Sequence, residues 1–576
     1  MNNKFLYKLK RYLTLDGYSV APVHIQLLVL LAISFLIIGI FSVYYGSFAD
    51  SYYAFMDPTS VPDGNILIVI VELLIGLIIA SFVISILSSA LENFIAEIKK
   101  GILPFKRADH LVFINQNNKI KYIFDELNIK YKDIDKIKEI VIILSSEESV
   151  ELFLEDLEDY TNLSIFVKYG NLYDIETYRK FALDSCENIT ILLDEEYDDD
   201  FLCDNNSIKI LSTLVQDKNI KLQNINLTIE SYSTNYTNEI YGSIAKTYNL
   251  TKISFLNADE LLGQLLTRSM IDVIYYKIYA EIFTFDGFEL YIEDAKNHIS
   301  KQTNFKELLL KSNDALLLGV IKNGDVCLNN LDLEVALNDK LIFIAEDETK
   351  IKLTSKYTSV NNNIQIAQPS EIVTRKICMI GDGLKVKNLF EFLDDNSQQN
   401  FKEYVFDSYD DYTSDQFITN LVDQNFDTII INLEEELTLR YILMLVAKFG
   451  KENKFISKCI SIITNPHSAK IINEITGSSN VILSQRLSAQ FISQLCFDSQ
   501  LINIINELTT SDGAEFNIID TNDEKLNKYS KEQLKQYLIN HNMTYIGAVN
   551  SNNNVEINSE NIRESKKIIV LSEGVN

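Results

Sequence analysis

Residues His24–Tyr45 read HIQLLVLLAISFLIIGIFSVYY, and this stretch decides which class of protein the chain belongs to. It lies within 33 residues, Gly17–Ala49, that contain no Asp, Glu, Lys or Arg. A second run, Gly64–Leu91, has 28 residues and one charged side chain, Glu72. Because roughly 20 apolar residues cross a hydrocarbon core of about 30 Å, each run predicts a membrane-spanning helix. A signal peptide is a poor explanation of the first run, which exceeds the usual apolar length of roughly 7–15 residues.

Basic residues predict the orientation of the two spans. Four precede the first span and four follow the second, namely Lys4, Lys8, Lys10, Arg11, Lys99, Lys100, Lys106 and Arg107. The segment between the spans contains no Lys or Arg. The positive-inside rule therefore places both termini in the cytoplasm and the connecting loop outside. We expect a cytoplasmic N-terminus at residues 1–22 and a two-helix module at 23–92 whose partner is the lipid bilayer.

The acidity of the chain belongs to the part that follows the spans. The 576 residues carry a formal net charge of −28, of which residues 1–107 hold +1 and the remainder −29. Non-specific nucleic-acid binding is excluded as a default function, since phosphate neutralisation needs clustered Lys and Arg. The six cysteines and five histidines show no paired spacing, so no zinc site is expected.

The segment 46–63, between the spans, is too apolar for a simple solvent turn. It carries Phe48, Tyr52, Tyr53 and Phe55, and we expect a short re-entrant helix followed by a proline-kinked stretch. Irregular backbone at membrane depth is tolerated where it lines a water-filled path or is buried in protein. Acidic rings from several subunits attract cations. The alternative is an interfacial hairpin whose aromatic side chains lie at headgroup level, and the loop alone favours neither.

Two residues extend the pore hypothesis into the second span. Glu72 should face a bundle interior or an aqueous cavity, because a carboxylate in hydrocarbon costs a few kcal/mol. Gly76, one turn later, either allows close helix packing or serves as a gating hinge. The residues predicted for the ion pathway are Asp50, Ser51, Asp57, Thr59, Ser60, Asp63 and Glu72.

The cytoplasmic portion contains a duplication. Short β-rich runs alternate with helix-length segments, which predicts parallel α/β sheets of Rossmann-like type. The stretches beginning at Asp286, Gly319 and Lys340 recur at Asp512, Gly547 and Lys567, with offsets of 226–228 residues. Such a period indicates a duplicated domain pair. The predicted order is a linker at 93–109, a Rossmann-like domain at 110–257, a helical crossover with a β-rich subdomain at 258–349, a linker at 350–370, a second Rossmann-like domain at 371–484 and a second crossover with its β-rich subdomain at 485–576.

The second half is the better candidate for nucleotide binding. A dinucleotide fingerprint needs glycines after the first strand and an acid after the second. The first half has Asn115-Gln-Asn117 at that turn, whereas the second has Gly381 and Gly383, with Asp407 24 residues further on. Its third glycine is replaced by Val386, so the motif is degenerate.

An acidic run in the first half is a candidate calcium site. Its possible ligands are Asp194, Glu195, Asp198, Asp199 and Asp200, and hard oxygen ligands suit calcium. The alternative is a solvated acidic loop, since the spacing lacks an EF-hand pattern. Regulatory calcium and a nucleotide are thus the two candidate ligands, and no cofactor is required. No nucleophile–base pair indicates catalysis, so an enzyme is not expected.

Several motifs resemble the Castor/Pollux ion channels of plants and bacteria. Ser47–Tyr53 with the acidic residues that follow is similar to their pore loop, and Ile86–Phe94 to the exit of their inner helix. Lys168–Asp174 resembles a turn of regulator-of-conductance domains, and Gly319–Gly324 with Asp339–Ala345 resembles the end of such a domain. The chain differs at Thr59-Ser60 and at Asn115–Asn117, and it lacks the further membrane helices of plant members.

The resemblance implies a homotetrameric cation channel in a bacterial plasma membrane, conducting potassium or calcium. Each subunit would contribute two helices, a pore loop and two tandem regulator domains to a cytoplasmic ring gated by a ligand. The alternative is a membrane sensor or regulatory subunit of a cation transport system that forms no pore. A membrane-anchored NAD-dependent oxidoreductase is a third hypothesis, which rests on the α/β fold alone.

Overall fold

The computed structural model describes residues 21–56, 65–132, 134, 136–195, 197, 199–233, 236–270, 272–354, 376–381, 395–477, 480–510, 513–520, 529–551, 553–562 and 565–573. These residues form two compact units. The first comprises the described residues up to Leu103 together with Glu147–Glu155, and the second comprises Pro104–Ser146 and the described residues from Asp156 onward.

The first unit contains three helices in the predicted membrane region: α1 (Val23–Tyr45), α2 (Phe48–Met56) and α3 (Ile66–Lys99). By length and composition, α1 and α3 can each cross a membrane, as the apolar runs predicted. Helix α1 ends at Gly46, whose φ of 70° is left-handed and natural for glycine. Helix α2 lies where the sequence predicted a re-entrant helix. The proline-kinked stretch that follows lies outside the described residues.

The first Rossmann-like domain is a six-stranded, wholly parallel sheet in the order β3-β2-β1-β4-β5-β6. Its elements are β1 (Leu111–Ile114), α4 (Ile120–Lys130), β2 (Lys138–Leu144), β3 (Leu163–Tyr169), α6 (Ile175–Lys180), β4 (Asn188–Ile191), α7 (Asp200–Leu214), β5 (Asn226–Glu230), α8 (Thr237–Tyr248) and β6 (Ile253–Leu256). The helix α5 (Glu147–Glu155) follows β2 in the sequence and belongs to the first unit. Strand β1 is fully buried at the centre, which explains its continuous apolar sequence.

A helix pair and a β-rich subdomain follow. They comprise α9 (Ala258–Ser269), α10 (Ile274–Phe283), β7 (Glu289–Asp294), β8 (Thr303–Asn304), α11 (Phe305–Lys311), β9 (Leu316–Lys322), β10 (Asp325–Leu328), β11 (Glu334–Val335) and β12 (Lys340–Ala345). The main sheet is antiparallel with the order β10-β9-β12-β7, and β8 pairs with β11.

The second half repeats this plan with a five-stranded parallel sheet, β14-β13-β15-β16-β17, and a four-stranded antiparallel sheet, β18-β21-β19-β20. Its elements are β13 (Ile377–Ile380), α12 (Asp395–Gln399), β14 (Phe401–Tyr404), α13 (Tyr409–Thr413), α14 (Asp415–Gln424), β15 (Thr428–Ile431), α15 (Glu435–Phe449), α16 (Lys454–Ser457), β16 (Cys459–Ile463), α17 (Pro466–Thr476), β17 (Val481–Leu483), α18 (Ser484–Leu495), α19 (Leu501–Thr509), β18 (Ala514–Asp520), α20 (Lys531–Asn540), β19 (Thr544–Val549), β20 (Val555–Ile557) and β21 (Lys567–Glu573).

The carboxyl group of Glu126 in α4 joins the two halves of the second unit. It is 1% exposed. Its Oε2 accepts hydrogen bonds from Thr284 Oγ1 at 2.9 Å and from the Phe285 backbone N–H at 3.0 Å, just after the first crossover. Its Oε1 accepts from Gln490 Nε2 in α18 at 3.1 Å, and Arg486 Nη2 lies 3.7 Å away. The first sheet, the first crossover and the second crossover therefore meet at one side chain.

Gly319 and Gly547 occupy matching positions in the two halves, and both positions require glycine for the same structural reason. A Cβ on Gly319 would lie 2.4 Å from the Cys327 carbonyl oxygen, and one on Gly547 would lie 2.4 Å from the Glu556 carbonyl oxygen. In each subdomain the neighbouring strand of a hairpin fills the space that a side chain needs. The matched glycines therefore reflect strand packing.

We predict that Gly547→Ala destabilises the second half by about 1–3 kcal/mol, because the added methyl must displace backbone atoms. The measurement is the thermal unfolding of the full chain in detergent, followed by circular dichroism. The matched control is Gly242→Ala in α8, where no atom lies within 4 Å of the new Cβ. That change should be neutral or stabilise by up to about 1 kcal/mol. Equal midpoints for Gly547→Ala and wild type would contradict the packing argument.

Candidate functional site

The hydroxyl group of Ser51 connects the short helix α2 to both predicted spans. Ser51 and Glu72 are both fully buried. Ser51 Oγ lies 2.5 Å from Glu72 Oε1 in α3 and 2.9 Å from the Ile38 carbonyl oxygen in α1. The structure thus brings together two residues predicted for the ion pathway, and it places them among the helices of one subunit.

Gly76 in α3 packs directly against the backbone of α2. A Cβ at this position would lie 2.3 Å from the Phe55 carbonyl oxygen, so packing alone requires glycine here. Its role as a gating hinge stays a prediction. Asp50 is half-buried in the first turn of α2. The remaining residues predicted for the ion pathway lie outside the described residues, namely Asp57, Thr59, Ser60 and Asp63.

The ligand crevice of the first parallel sheet is occupied by the chain's own ion pair. Lys119, just before α4, is 7% exposed, and its Nζ lies 3.0 Å from Glu230 Oε1 at the end of β5. Glu230 Oε2 accepts from Asn117 Nδ2 at 2.7 Å and from the Leu193 N–H at 3.1 Å. These groups lie at the carboxyl ends of the strands, the edge at which open α/β sheets bind ligands.

Three carboxylates keep the buried ammonium of Lys119 charged. Burial disfavours its charge, but Glu230, Asp259 and Glu195 together raise its pKa above the usual range. The sequence did not indicate Lys119 or Glu230 as site residues. They are 111 positions apart, and only the parallel order of β1, β4 and β5 brings them together.

The described carboxylates of the acidic run in the first half form separate local contacts. Asp199 caps α7 by accepting from the Phe201 N–H at 2.8 Å, and Asp194 accepts from Asn206 Nδ2 at 3.0 Å. Glu195 accepts from the Asn118 N–H at 3.2 Å, at the crevice. Asp200 begins α7, and Asp198 lies outside the described residues. Within the described part of the chain, no three His, Cys, Asp or Glu side chains are grouped to hold a metal ion.

The crevice of the second parallel sheet differs from the first. Gly381 has a φ of +100°, and a Cβ there would lie 2.4 Å from the Asn432 carbonyl oxygen at the end of β15. The Asn432 side chain is 2% exposed, and its amide has no hydrogen-bond partner among the described residues. Asp407 is exposed beyond β14, and Gly383 lies outside the described range. Asn432 is a residue that the sequence motif did not reveal.

We predict that Lys119→Met destabilises the first domain by about 3–5 kcal/mol, because it leaves the Glu230 carboxylate buried without its cation. Adding Glu230→Gln should recover most of this loss, since the amide oxygen can still accept from Asn117 and Leu193. Thermal unfolding of the full chain measures both effects.

The matched control for that pair is Lys121→Met. Lys121 is 43% exposed and pairs with Asp156 at 2.5 Å, so its loss should cost only about 0–1 kcal/mol. A double variant as unstable as Lys119→Met alone would contradict the assignment of a buried ion pair.

Comparison with known proteins identifies the fold. No protein-family model and no curated protein matches the sequence. The human SLO3 gating ring matches with a TM-score of 0.53 at 11% identity, over 81% of this chain and 100% of that structure. A GsuK channel bound to NAD gives a TM-score of 0.43 at 12% identity over 95% of each chain, and GsuK bound to ADP gives 0.39 at 10% identity over 82% of this chain and 96% of that one. The match to the SLO3 gating ring shows that the tandem Rossmann-like domains have the gating-ring fold. In this chain they follow two apolar helices of membrane-spanning length.

Proposed function

We propose that the chain is one subunit of a ligand-gated cation channel of the Castor/Pollux type. Four copies would surround a pore in the bilayer, with both termini and the regulator domains in the cytoplasm. The observation that carries this proposal is the joint presence, in one chain, of two span-length helices with a short packed helix between them and of a tandem domain pair with the gating-ring fold.

The charge of the outer segment supports cation selectivity. Between the spans the charged residues are Asp50, Asp57 and Asp63, and no Lys or Arg accompanies them. Four copies would place rings of carboxylates at the outer mouth, where they concentrate cations and repel anions. We propose potassium or calcium as the permeating cation.

Gating requires a ligand that binds the open and closed rings with different affinity. We assign nucleotide binding to the second crevice, at Gly381, Gly383 and Asp407, because the first is filled by Lys119 and Glu230. The buried amide of Asn432 lies beside Gly381 and supports this assignment. Calcium, bound at the acidic run, is the second candidate ligand. Only the high number of carboxylates in this run supports it.

The test is cation flux into liposomes that contain the purified full chain. We expect potassium or calcium flux in wild type and a reduction of at least about tenfold in Gly76→Ala, because the new methyl would displace α2 from α3. Gly39→Ala in α1 is the matched control and should conduct normally, since no atom lies within 4 Å of its added Cβ.

Absence of flux in wild type, with calcium and with nucleotides added, would contradict the proposal of a channel and favour the sensor that forms no pore. Equal flux in wild type and Gly76→Ala would contradict the expectation that conduction depends on the packing of α2 against α3.

A further inference from the structure

A polar cleft of about 230 Å³ opens where three parts of the second unit meet, away from both crevices. Three lysines line it, and each comes from a different part: Lys277 from α10 of the first crossover, Lys458 from the residue before β16, and Lys567 from the start of β21. Two carboxylates, Asp272 and Asp427, complete its charged lining. The cleft therefore carries a formal excess of positive charge in a chain whose net charge is −28.

Contacts with the surrounding chain hold the three ammonium groups at the cleft. Lys277 Nζ donates to the Asn553 carbonyl oxygen at 2.8 Å. Lys458 Nζ donates to the Phe426 carbonyl oxygen at 2.8 Å and to Asn425 Oδ1 at 3.0 Å, so both of these partners are neutral. The third ammonium group, that of Lys567, forms an ion pair with Asp272.

A hydrogen bond also connects two walls of the cleft. Thr428 Oγ1, at the first residue of β15, donates to the Met270 carbonyl oxygen at 2.8 Å and is buried. This bond connects the second parallel sheet to the end of α9 in the first crossover, beside the lysines. The cleft is thus a preformed concave site, and preorganised charges lower the cost of binding an anion.

The position separates this cleft from the proposed nucleotide site. Thr428 and Lys458 lie at the amino ends of strands in the second parallel sheet, whereas Gly381 and Asn432 lie at the carboxyl ends. Its volume of about 230 Å³ is also below the roughly 300–1,000 Å³ of sites for drug-sized molecules. A compact anion fits such a space.

We propose that this cleft binds a compact phosphate-bearing anion, either free as pyrophosphate or as the diphosphate of a nucleotide. Lysine ammonium groups are common point-charge ligands for phosphate. Such an anion would contact the first crossover, the second parallel sheet and the last antiparallel sheet together.

The electrostatics of Lys277 give the binding a pH dependence. Burial lowers the pKa of Lys277, and Asp272 offsets part of that decrease. An anion in the cleft favours the charged ammonium and raises this pKa again. Binding should therefore take up protons and weaken as pH rises towards the lowered pKa of Lys277. The other charged groups that line the cleft are Asp272, Asp427, Lys458 and Lys567.

The test is isothermal titration of the full chain in maltoside detergent with inorganic phosphate, pyrophosphate and ADP in separate runs. We expect saturable pyrophosphate binding that weakens at least about tenfold in Lys277→Gln and in Lys458→Gln, because each loses a charge-assisted hydrogen bond. The matched control is Lys451→Gln, an exposed lysine outside the cleft, which should bind as wild type does.

A second variant gives a prediction of opposite sign. Asp427 accepts from the Lys376 N–H at 2.9 Å, and Asn at this position keeps an acceptor while removing a negative charge from the cleft. Asp427→Asn should therefore bind pyrophosphate more tightly, a gain that misfolding cannot produce.

The ADP run distinguishes the two sources of phosphate. If ADP competes with pyrophosphate in wild type and this competition is lost in Lys277→Gln, the diphosphate of a nucleotide binds in the cleft. If pyrophosphate binds and ADP does not compete with it, the ligand is the free anion. Absence of saturable binding by all three anions, or equal pyrophosphate affinity in wild type and all variants, would overturn the proposal. Neither result depends on whether the chain conducts ions.

Discussion

The arrangement of the two halves of the second unit depends on the buried carboxyl group of Glu126. An oxygen without partners in this position would cost several kcal/mol, so its neighbours must lie where they can bond to it. Those neighbours are Thr284 and Phe285 after the first crossover and Gln490 in α18. Since α18 is buried almost throughout, the second half cannot move away from α4 without breaking these bonds. The hydrogen bond from Gln490 therefore joins the second half to α4 of the first half.

The duplicated halves share a plan but differ at their ligand edges. In the first half, the side chains of Lys119 and Glu230 fill the crevice. They lie where open α/β sheets commonly bind a ligand. In the second, glycine at position 381 and the buried amide of Asn432 leave polar groups at the same edge. The two halves of the duplication have therefore diverged most at the carboxyl edges of their parallel sheets.

The sequence predicted the parts of the fold that depend on local patterns. Apolar runs predicted α1 and α3, and matched stretches 226–228 residues apart predicted the duplication. The outer strand β14 (Phe401–Tyr404) has the sequence FKEY, in which two charged residues interrupt the apolar pattern of a buried strand, so its bounds could not be predicted. The bonds of Ser51, Glu126 and Lys119 could not be predicted, since each joins residues that only the folded chain brings together. The glycine motif at Gly381 was visible, whereas Asn432 has no sequence signature.

Single-channel recording across a planar bilayer shows whether the chain forms a ligand-gated cation channel. With purified full chain and unequal concentrations of a cation on the two sides, a cation channel should give discrete current steps. Their reversal potential should follow the cation gradient, and their open probability should change when a nucleotide or calcium is added to the cytoplasmic side. Discrete steps that follow the anion gradient, or a bilayer that stays silent under every ligand, would contradict the proposal of a cation channel.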